Sequence, residues 1–304
     1  MESGPSHDNR HATGFVSGIE DLNDTGLTET EYEDFRAFLE ESCGIALGDQ
    51  KQYLLTTRLR PLLEEFRYGS VGELLGHLRK GLGLGLRERV VDAMTTNETY
   101  WFRDGHPYEI LANTILPELD KRPGVMPRLW SAACSSGQEP YSISIVIQEY
   151  LRARPGAFPS GVQVVGTDIS PTMLKKARSG LYHESDLARG LPAEQRDRYF
   201  KRRGFGSEIN PEIRARVRFM DLNLLKPYTL MGNFDVIFCR NVLIYFSAQS
   251  RRDILERMIR VLNPGGYMVM GASESLANHA SSFQMVRVGG GIVYRLKDPS
   301  RPLR

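Results

Sequence analysis

Cysteine is scarce in this chain. Its 304 residues hold three, Cys43, Cys134 and Cys239, odd in number, far apart and without a C-x-x-C pair, which argues against a disulfide framework and a structural zinc site. They read as buried thiols of a reducing compartment. Long apolar runs are missing as well: no window approaches the roughly 18 apolar residues of a membrane span. The opening stretch, MESGPSHDNRHATG, has no apolar core of the kind a secretory signal carries, so a cytoplasmic protein is expected. Charge of one sign is also lacking, since 39 Lys and Arg stand against 37 Asp and Glu for a formal net charge of +2. No global field argues for nucleic acid, and electrostatic partners must be sought in local patches. What remains is ordinary globular material, 41% hydrophobic and 25% charged, long enough for two domains.

The chain is organised around residues 129–141, LWSAACSSGQEPY. Leu129, Trp130, Ala132 and Ala133 read as a buried strand. Ser135, Ser136 and Gly137 let the backbone turn with little side-chain bulk, and residues 141–147 resume a helical apolar spacing. A turn of this kind at the carboxyl end of a parallel strand is where open α/β sheets hold nucleotides, because the following helix offers free amides and a positive dipole end. A dinucleotide fingerprint is nevertheless excluded. The pattern G-x-G-x-x-G needs two more glycines than Gly137 supplies, and Glu139 puts a carboxylate where a pyrophosphate would sit. A cationic or neutral nucleoside fits better. At the end of the next apolar run, residues 162–167, Asp168 can accept both ribose hydroxyls of a nucleoside, or it can simply cap the turn.

Residues 1 to about 26 are polar and rich in Gly, Ser, Asn and Asp, a composition expected to stay disordered. From Leu27 the pattern is helical: Thr28 or Thr30 can cap, Tyr32, Phe35, Phe38 and Leu39 make an apolar stripe, and Gly44 ends it. A second helix is predicted over about 50–67, with leucines inward and Lys51, Arg58, Arg60 and Arg67 on a mildly basic polar surface. That surface is either solvated or a docking face for an acidic helix. Short helices fill 70–94. Residues 95–104, TTNETYWFRD, follow neither period and read as a loop selected for contacts, with donors at Asn97, Thr99 and Arg103. After a helix to about Leu119, Pro123, Gly124 and Pro127 mark a boundary. It divides a helical domain and linker, 27–122, from an α/β domain, 123–304.

Beyond that boundary strands and helices alternate. Ser170 caps a helix with Pro171 at its first position, and residues 234–239 and 267–270 read as buried strands. A helix capped by Ser247 is expected to close at Asn263, Pro264 and Gly265, and 283–288 with 292–296 form a terminal antiparallel hairpin. The pattern predicts a mostly parallel sheet covered by helices on both faces. Between residues 196 and 218, eight basic residues (Arg196, Arg198, Lys201, Arg202, Arg203, Arg214, Arg216 and Arg218) stand against Asp197, Glu208 and Glu212, on segments expected to be strand-like around a Gly-Phe-Gly turn.

Taken together, TTNETYWFRD, ACSSGQEPYS, GTDIS, DLNLL and CRNVLIYF resemble the CheR family, bacterial methyltransferases that modify chemotaxis receptors with S-adenosylmethionine. The resemblance runs from about 27 to 296 with the motifs in order. It implies an α/β fold: a Rossmann-like class I methyltransferase sheet with a small β-subdomain inserted at about 181–218, preceded by a small all-α domain. By position it implies contacts to S-adenosyl-L-methionine, released as S-adenosyl-L-homocysteine, from Asn97, Thr99, Arg103 and Glu139, with Asp168 on the ribose. Asn223 and Leu224 would lie near the adenine, and Arg240 and Asn241 would line the site. Arg103 and Tyr245 would face the methyl-transfer centre, and no metal is implied. The implied partners are the receptor's cytoplasmic helical bundle, at the Lys51, Arg58, Arg60 and Arg67 face, and an acidic, aromatic receptor tail added to the β-subdomain as an edge strand. The enzyme would then be cytoplasmic and recruited to membrane receptor arrays, without nucleic acid and without inserting into the membrane.

The chemistry of such an acceptor is consistent with these residues. A glutamate has a reference pKa of about 4.3, so at neutral pH it is already a nucleophile and needs no general base. Displacement at a sulfonium methyl joins an anion and a cation into neutral products, which favours a dry, aligned site. An Arg103 bound tightly to the carboxylate would stabilise the ground state more than the transition state, so its expected role is positioning. Tyr245 can orient the second carboxylate oxygen, or it can merely pack. Two rivals stand beside this reading. A nucleic-acid methyltransferase would carry an Asn/Asp-Pro-Pro-aromatic motif where CRNVLIY stands, or a proline before Cys239. A cofactor-bound regulator without activity would not need Arg103 and Tyr245.

Overall fold

The computed structural model describes residues 27–298 apart from positions 84, 123, 277, 278 and 280. The leader expected over 1–26, and Pro123 of the boundary, lie outside the described residues. The helical domain starts with α1 (Glu29–Cys43), capped by Thr28, whose hydroxyl accepts the Glu31 amide while the Glu31 carboxylate accepts the Thr28 amide. This reciprocal box satisfies two of the helix's orphan donors. Gly44, at φ +79°, ends it. The stripe of Tyr32, Phe35, Phe38 and Leu39 is buried against α2 (Gln52–Phe66), α3 (Val71–Arg79) and α4 (Leu86–Met94) in one apolar core. After the 95–104 loop come α5 (His106–Ile110), a π-helical turn (Leu111–Ile115) and α6 (Leu116–Leu119).

The α/β domain then runs β1 (Arg128–Ala132), α7 (Gln138–Ala153), β2 (Gln163–Asp168), α8 (Pro171–Ser179), β3 (Leu181–His183), α9 (Glu184–Leu187), α10 (Ala193–Tyr199), β4 (Phe200–Arg203), β5 (Gly206–Ile209), α11 (Pro211–Ala215), β6 (Val217–Asp221), β7 (Phe234–Cys239), α12 (Ala248–Arg260), β8 (Leu262–Met270), β9 (Phe283–Val288) and β10 (Gly291–Leu296). Seven strands form one sheet in the order β6-β2-β1-β7-β8-β10-β9. The first five are parallel to one another, and β10 runs antiparallel to both of its neighbours, β8 and β9. Alternation along each strand feeds two cores. Leu129, Val164, Val236 and Phe238 pack under α7 and the 106–119 helices, while Trp130, Val165, Ile237 and Cys239 face α12. A second sheet, β3-β5-β4, forms the inserted subdomain.

Two expectations are corrected here. Asn263, Pro264 and Gly265 do not close the preceding helix: α12 ends at Arg260, and those residues lie inside β8, where Leu262 already pairs with Phe234 and the register shifts before Val236. The subdomain ends earlier than 218, because Val217 and Arg218 pair with Val164 and Val165 as the edge of the large sheet. Within the basic segment, Arg196 and Arg198 sit on α10 and Arg214 on α11, so Lys201 to Arg203 are its basic residues on a strand of the subdomain, while Arg218 lies on β6 of the large sheet.

Candidate active site

In this sheet β1 has β2 on one side and β7 on the other, so the chain changes winding direction there and a crevice opens beyond the strands' carboxyl ends. A cavity of about 370 Å³ occupies that position, within the size range of small-molecule sites. Its walls bring together Asn97, Thr99, Arg103, Glu139, Asp168, Asn223, Leu224, Arg240, Asn241 and Tyr245, which are scattered along the sequence.

The turn after β1 gives the cavity its floor. Ala133 and Ser135 hold positive φ, and Gly137 sits at φ +94°, where a Cβ would come within 2.9 Å of the Ala177 Cβ and 3.0 Å of the Tyr182 hydroxyl. Only glycine permits that approach. The Ser135 amide donates to Asp168 Oδ2 at 2.7 Å and the Ser170 amide to Oδ1 at 2.9 Å. Each carboxylate oxygen thus holds one turn and keeps acceptor capacity for a ligand. Burial pushes the Asp168 carboxyl above the ordinary carboxylate range, against the opposing pull of the Ser170, Ser135 and Ile169 amides. Ser135 Oγ also donates to the Asn97 carbonyl at 3.1 Å, which fastens the 95–104 loop to this turn.

Glu139, in the first turn of α7, accepts Ser131 Oγ at 2.8 Å and Arg240 Nη1 at 2.9 Å. The Arg240 side chain is 1% exposed and also donates to Asp104 at 2.6 Å and to the Arg103 carbonyl at 2.8 Å. Burial opposes its charge, but Glu139 foremost, with Asp104, outweighs that and holds the guanidinium protonated. Arg240 is therefore an internal strut joining β7, α7 and the 95–104 loop. Arg103 reaches the Glu98 carbonyl at 3.0 Å and lies 5.5 Å over the Tyr100 ring. Asn241 takes φ +56°, and its buried Oδ1 has no hydrogen-bond partner among the described residues. An orphaned acceptor on the wall, two carboxylates and a close-approach turn suit a cationic nucleoside, and S-adenosylmethionine is one.

Other parts of the wall were not foreseen. Asn223, expected beside the adenine, spends its amide on the Ser42 carbonyl (2.8 Å) and the Leu225 N–H (2.9 Å), so the apolar surface there comes from Leu222 and Leu224. Cys43 at the end of α1 and Ile45, Ala46 and Leu47 of the α1–α2 connection roof the cavity. The Ala46 amide donates to the Tyr245 carbonyl at 2.8 Å, and Ile45 bridges Phe246. The four basic residues of α2 do not form one face. Lys51 and Arg58 line the cavity, and Arg58 is tied to the carbonyls of Met94 (2.6 Å) and Thr95 (3.1 Å). Arg60 and Arg67 are exposed, and helical stepping of 3.6 residues per turn puts Arg60 on the opposite side. All three cysteines are free and buried, with the Cys43 thiol pushed up to about 11 by burial. Among the described residues no group of three or more His, Cys, Asp or Glu is arranged to hold a metal, and no helix is long and apolar enough to cross a membrane.

Comparison with known proteins gives matches to two family models in tandem: "CheR methyltransferase, all-alpha domain" over residues 30–95 and "CheR methyltransferase, SAM binding domain" over residues 97–291. The chain is 51% identical over 269 residues to chemotaxis protein methyltransferase Cher2 of Pseudomonas putida, and 52% identical over 269 residues to chemotaxis protein methyltransferase 1 of Pseudomonas aeruginosa. Each match covers 88% of this chain and 98% of the relative. It is 48% identical over 274 residues to the chemotaxis protein methyltransferase of Vibrio parahaemolyticus, covering 89% and 98%.

Proposed function

This chain belongs to the CheR methyltransferase family, and from that premise we propose that it methylates glutamyl carboxylates of chemoreceptor cytoplasmic domains, leaving methyl esters in chemotactic adaptation. It is an S-adenosylmethionine-dependent methyltransferase of chemotaxis. The glutamyl acceptor is supported by one observation, the residue set lining a single cavity: Glu139 and Asp168 together with Arg103 and Tyr245. The carboxylates suit a cationic cofactor, and the arginine and phenol suit an anionic acceptor.

S-adenosylmethionine, when bound, supplies a methyl group on a cationic sulfur that an anionic oxygen can take. The chain's own work is to bind and align. Asp168 would accept the ribose hydroxyls, Glu139 and the orphaned Asn241 oxygen would hold the cationic end, and the Asn97–Arg103 loop would close one side. Arg103, softened as a partner by its bond to the Glu98 carbonyl, orients the acceptor carboxylate without trapping it in the ground state. The Tyr245 hydroxyl orients the second oxygen. No side chain has to remove a proton, because the acceptor is ionised at neutral pH. The test is transfer of labelled methyl to candidate receptors followed by mild alkali. Release of labelled methanol supports the ester, and a label that resists alkali refutes it.

Two surfaces support receptor contact. On α2 the exposed pair Arg60 and Arg67 remains for an acidic helical bundle once Lys51 and Arg58 are assigned to the cavity. Charge reversal there should raise KM for receptor and flatten its salt dependence, with cofactor affinity unchanged. On the subdomain, β4 is an edge strand, and the turn after it presents Phe205 at 96% exposure. Arg203 and Arg214 pair with Glu208, and Arg198 pairs with Glu149 and Glu194. Lys201 and Arg202 are the cations of that strand without an ion pair among the described residues. An acidic, aromatic receptor tail adding to β4 fits those features, and titration with receptor tail peptides tests it. Both contacts would bring the enzyme from the cytoplasm to receptor arrays.

A further inference from the structure

The end of β7 is joined to the end of β8 by one carboxylate. Glu274 Oε2 accepts the Asn241 N–H at 2.6 Å and the Gly271 N–H at 3.0 Å, and Oε1 accepts the Val242 N–H at 3.1 Å and the Leu243 N–H at 2.8 Å. Four amide donors on one side chain require two oxygens with two acceptor sites each, which only an ionised carboxylate provides. The fit is tight: a Cβ on Gly271 would come within 2.6 Å of Glu274 Oε2 and 2.9 Å of the Asn241 amide.

Three of those donors are consecutive and belong to the turn that leads into the site. Asn241 adopts φ +56° there, a conformation that persists in a non-glycine residue only where its surroundings fix it. Leu243 opens the single 3-10 turn Leu243–Tyr245, closed by the Tyr245 amide on the Val242 carbonyl at 3.2 Å. Moving residues 241–243 therefore moves Tyr245. Glu274 itself does not line the cavity; it lines a separate surface concavity with Ile244, Arg251 and Arg252.

We infer that Glu274 is a positioning residue for methyl transfer: its carboxylate clamps the Asn241–Leu243 amides and so sets the place of the Tyr245 hydroxyl. This rests on the role assigned above to Tyr245. In Glu274→Gln the oxygen still accepts but the NH2 group opposes N–H donors, so half of the clamp is lost at nearly constant size.

Three readouts on the full chain test it. Amide hydrogen exchange at 241–243 should accelerate in Glu274→Gln while exchange in β1 and β2 stays as in the parent; unchanged exchange at 241–243 overturns the clamp. This readout needs no acceptor, so a failure of the glutamyl assignment is seen separately, in the alkali test. Single-turnover transfer on cofactor-saturated enzyme should slow by on the order of 10²-fold, as for a displaced catalytic group. In a Tyr245→Phe background the same substitution should add less than about a twofold change, the limit of ordinary additivity. An equal slowing in both backgrounds overturns the action through Tyr245. Formate should restore part of the rate to Glu274→Ala but not to Tyr245→Phe. If Glu274→Ala does not fold, the Gln variant decides the matter by the first two readouts.

Discussion

Replacing Arg240 by methionine tests whether the strut at the cavity wall is held by charge. The substitution keeps a long, flexible side chain and removes five donors. Glu139 would keep only Ser131 as a partner while its side chain remains 13% exposed, and the Arg103 carbonyl would lose its donor. Removing one partner of a buried pair costs about 3–5 kcal/mol, mostly because the surviving charge stays desolvated. Here the low end applies: the second anion, Asp104, is 35% exposed and can turn to water, so the penalty falls on Glu139 alone. At roughly 2–4 °C per kcal/mol for a chain of this size, a loss near 3 kcal/mol lowers Tm by on the order of 10 °C. The assay is urea and thermal unfolding of the parent, Arg240→Met, Glu139→Gln and the double variant. If the charge argument holds, the double variant recovers at least about 1 kcal/mol relative to the sum of the singles. Arg240→Lys should fall between, since an ammonium cannot serve Glu139, Asp104 and a carbonyl as a planar fork does. Arg240→Met at less than about 1 kcal/mol, with no coupling to Glu139, would refute the reasoning.

Gly137→Ala should destabilise by roughly 1–2 kcal/mol for the left-handed backbone and by about 1–3 kcal/mol more for the overpacking against Ala177 and Tyr182, read by urea unfolding. Asp168→Asn should weaken S-adenosylhomocysteine binding by about 1.5–3 kcal/mol, the value of hydrogen bonds to a charged group, measured by calorimetry. Because burial raises the Asp168 carboxyl above its ordinary range and ribose hydroxyls donate to the ionised form, affinity in the parent should fall as pH drops through that raised value, at about tenfold per unit below it. The same raised value makes the folded chain the tighter proton binder, so the group's contribution to stability shrinks as pH climbs from the ordinary carboxylate range through the folded value. Tyr245→Phe should keep cofactor affinity while slowing single-turnover transfer; a parent rate would return the ring to packing alone.

Local patterns made much of this molecule legible. Gly137 and Asp168 were visible because a small-residue turn and a carboxylate each followed an apolar run, and short-range geometry decides both. The Gly44 stop was visible for the same reason, and the cap was narrowed to Thr28 or Thr30, of which the structure uses Thr28. Asn263, Pro264 and Gly265 misled because punctuation residues mark a break without saying which element breaks. Pairing of Leu262 with Phe234, a tertiary contact, drew the strand back to the end of α12. The basic residues of α2 were grouped by nearness in the chain rather than by angle around the helix, and the bonds from Arg58 to Met94 and Thr95 show what that hid. Glu274 left no trace in the sequence, since its partners are backbone amides, which every residue except proline carries.

The roof of the cavity carries the remaining lesson, because no methyltransferase motif contains it. Ser42, Ile45 and Ala46 bond to Asn223, Phe246 and Tyr245, and Asp92 of α4 accepts the hydroxyls of Ser170 and Thr172 at the start of α8. The helical domain is thus fastened at both the β2 and β7 ends of the sheet, on the two strand ends that supply Asp168 and Tyr245. Each of these bonds is modest singly, about 1 kcal/mol net, yet together they place two domains against one ligand-sized space, lined by Cys43 and Leu47 from one side and Ser135 and Glu139 from the other. The α2 helix then has two sides: Lys51 and Arg58 line the cavity, and Arg60 and Arg67 face solvent. A partner docking on the outer side, as proposed above, would contact the same helix that lines the cavity with its inner one.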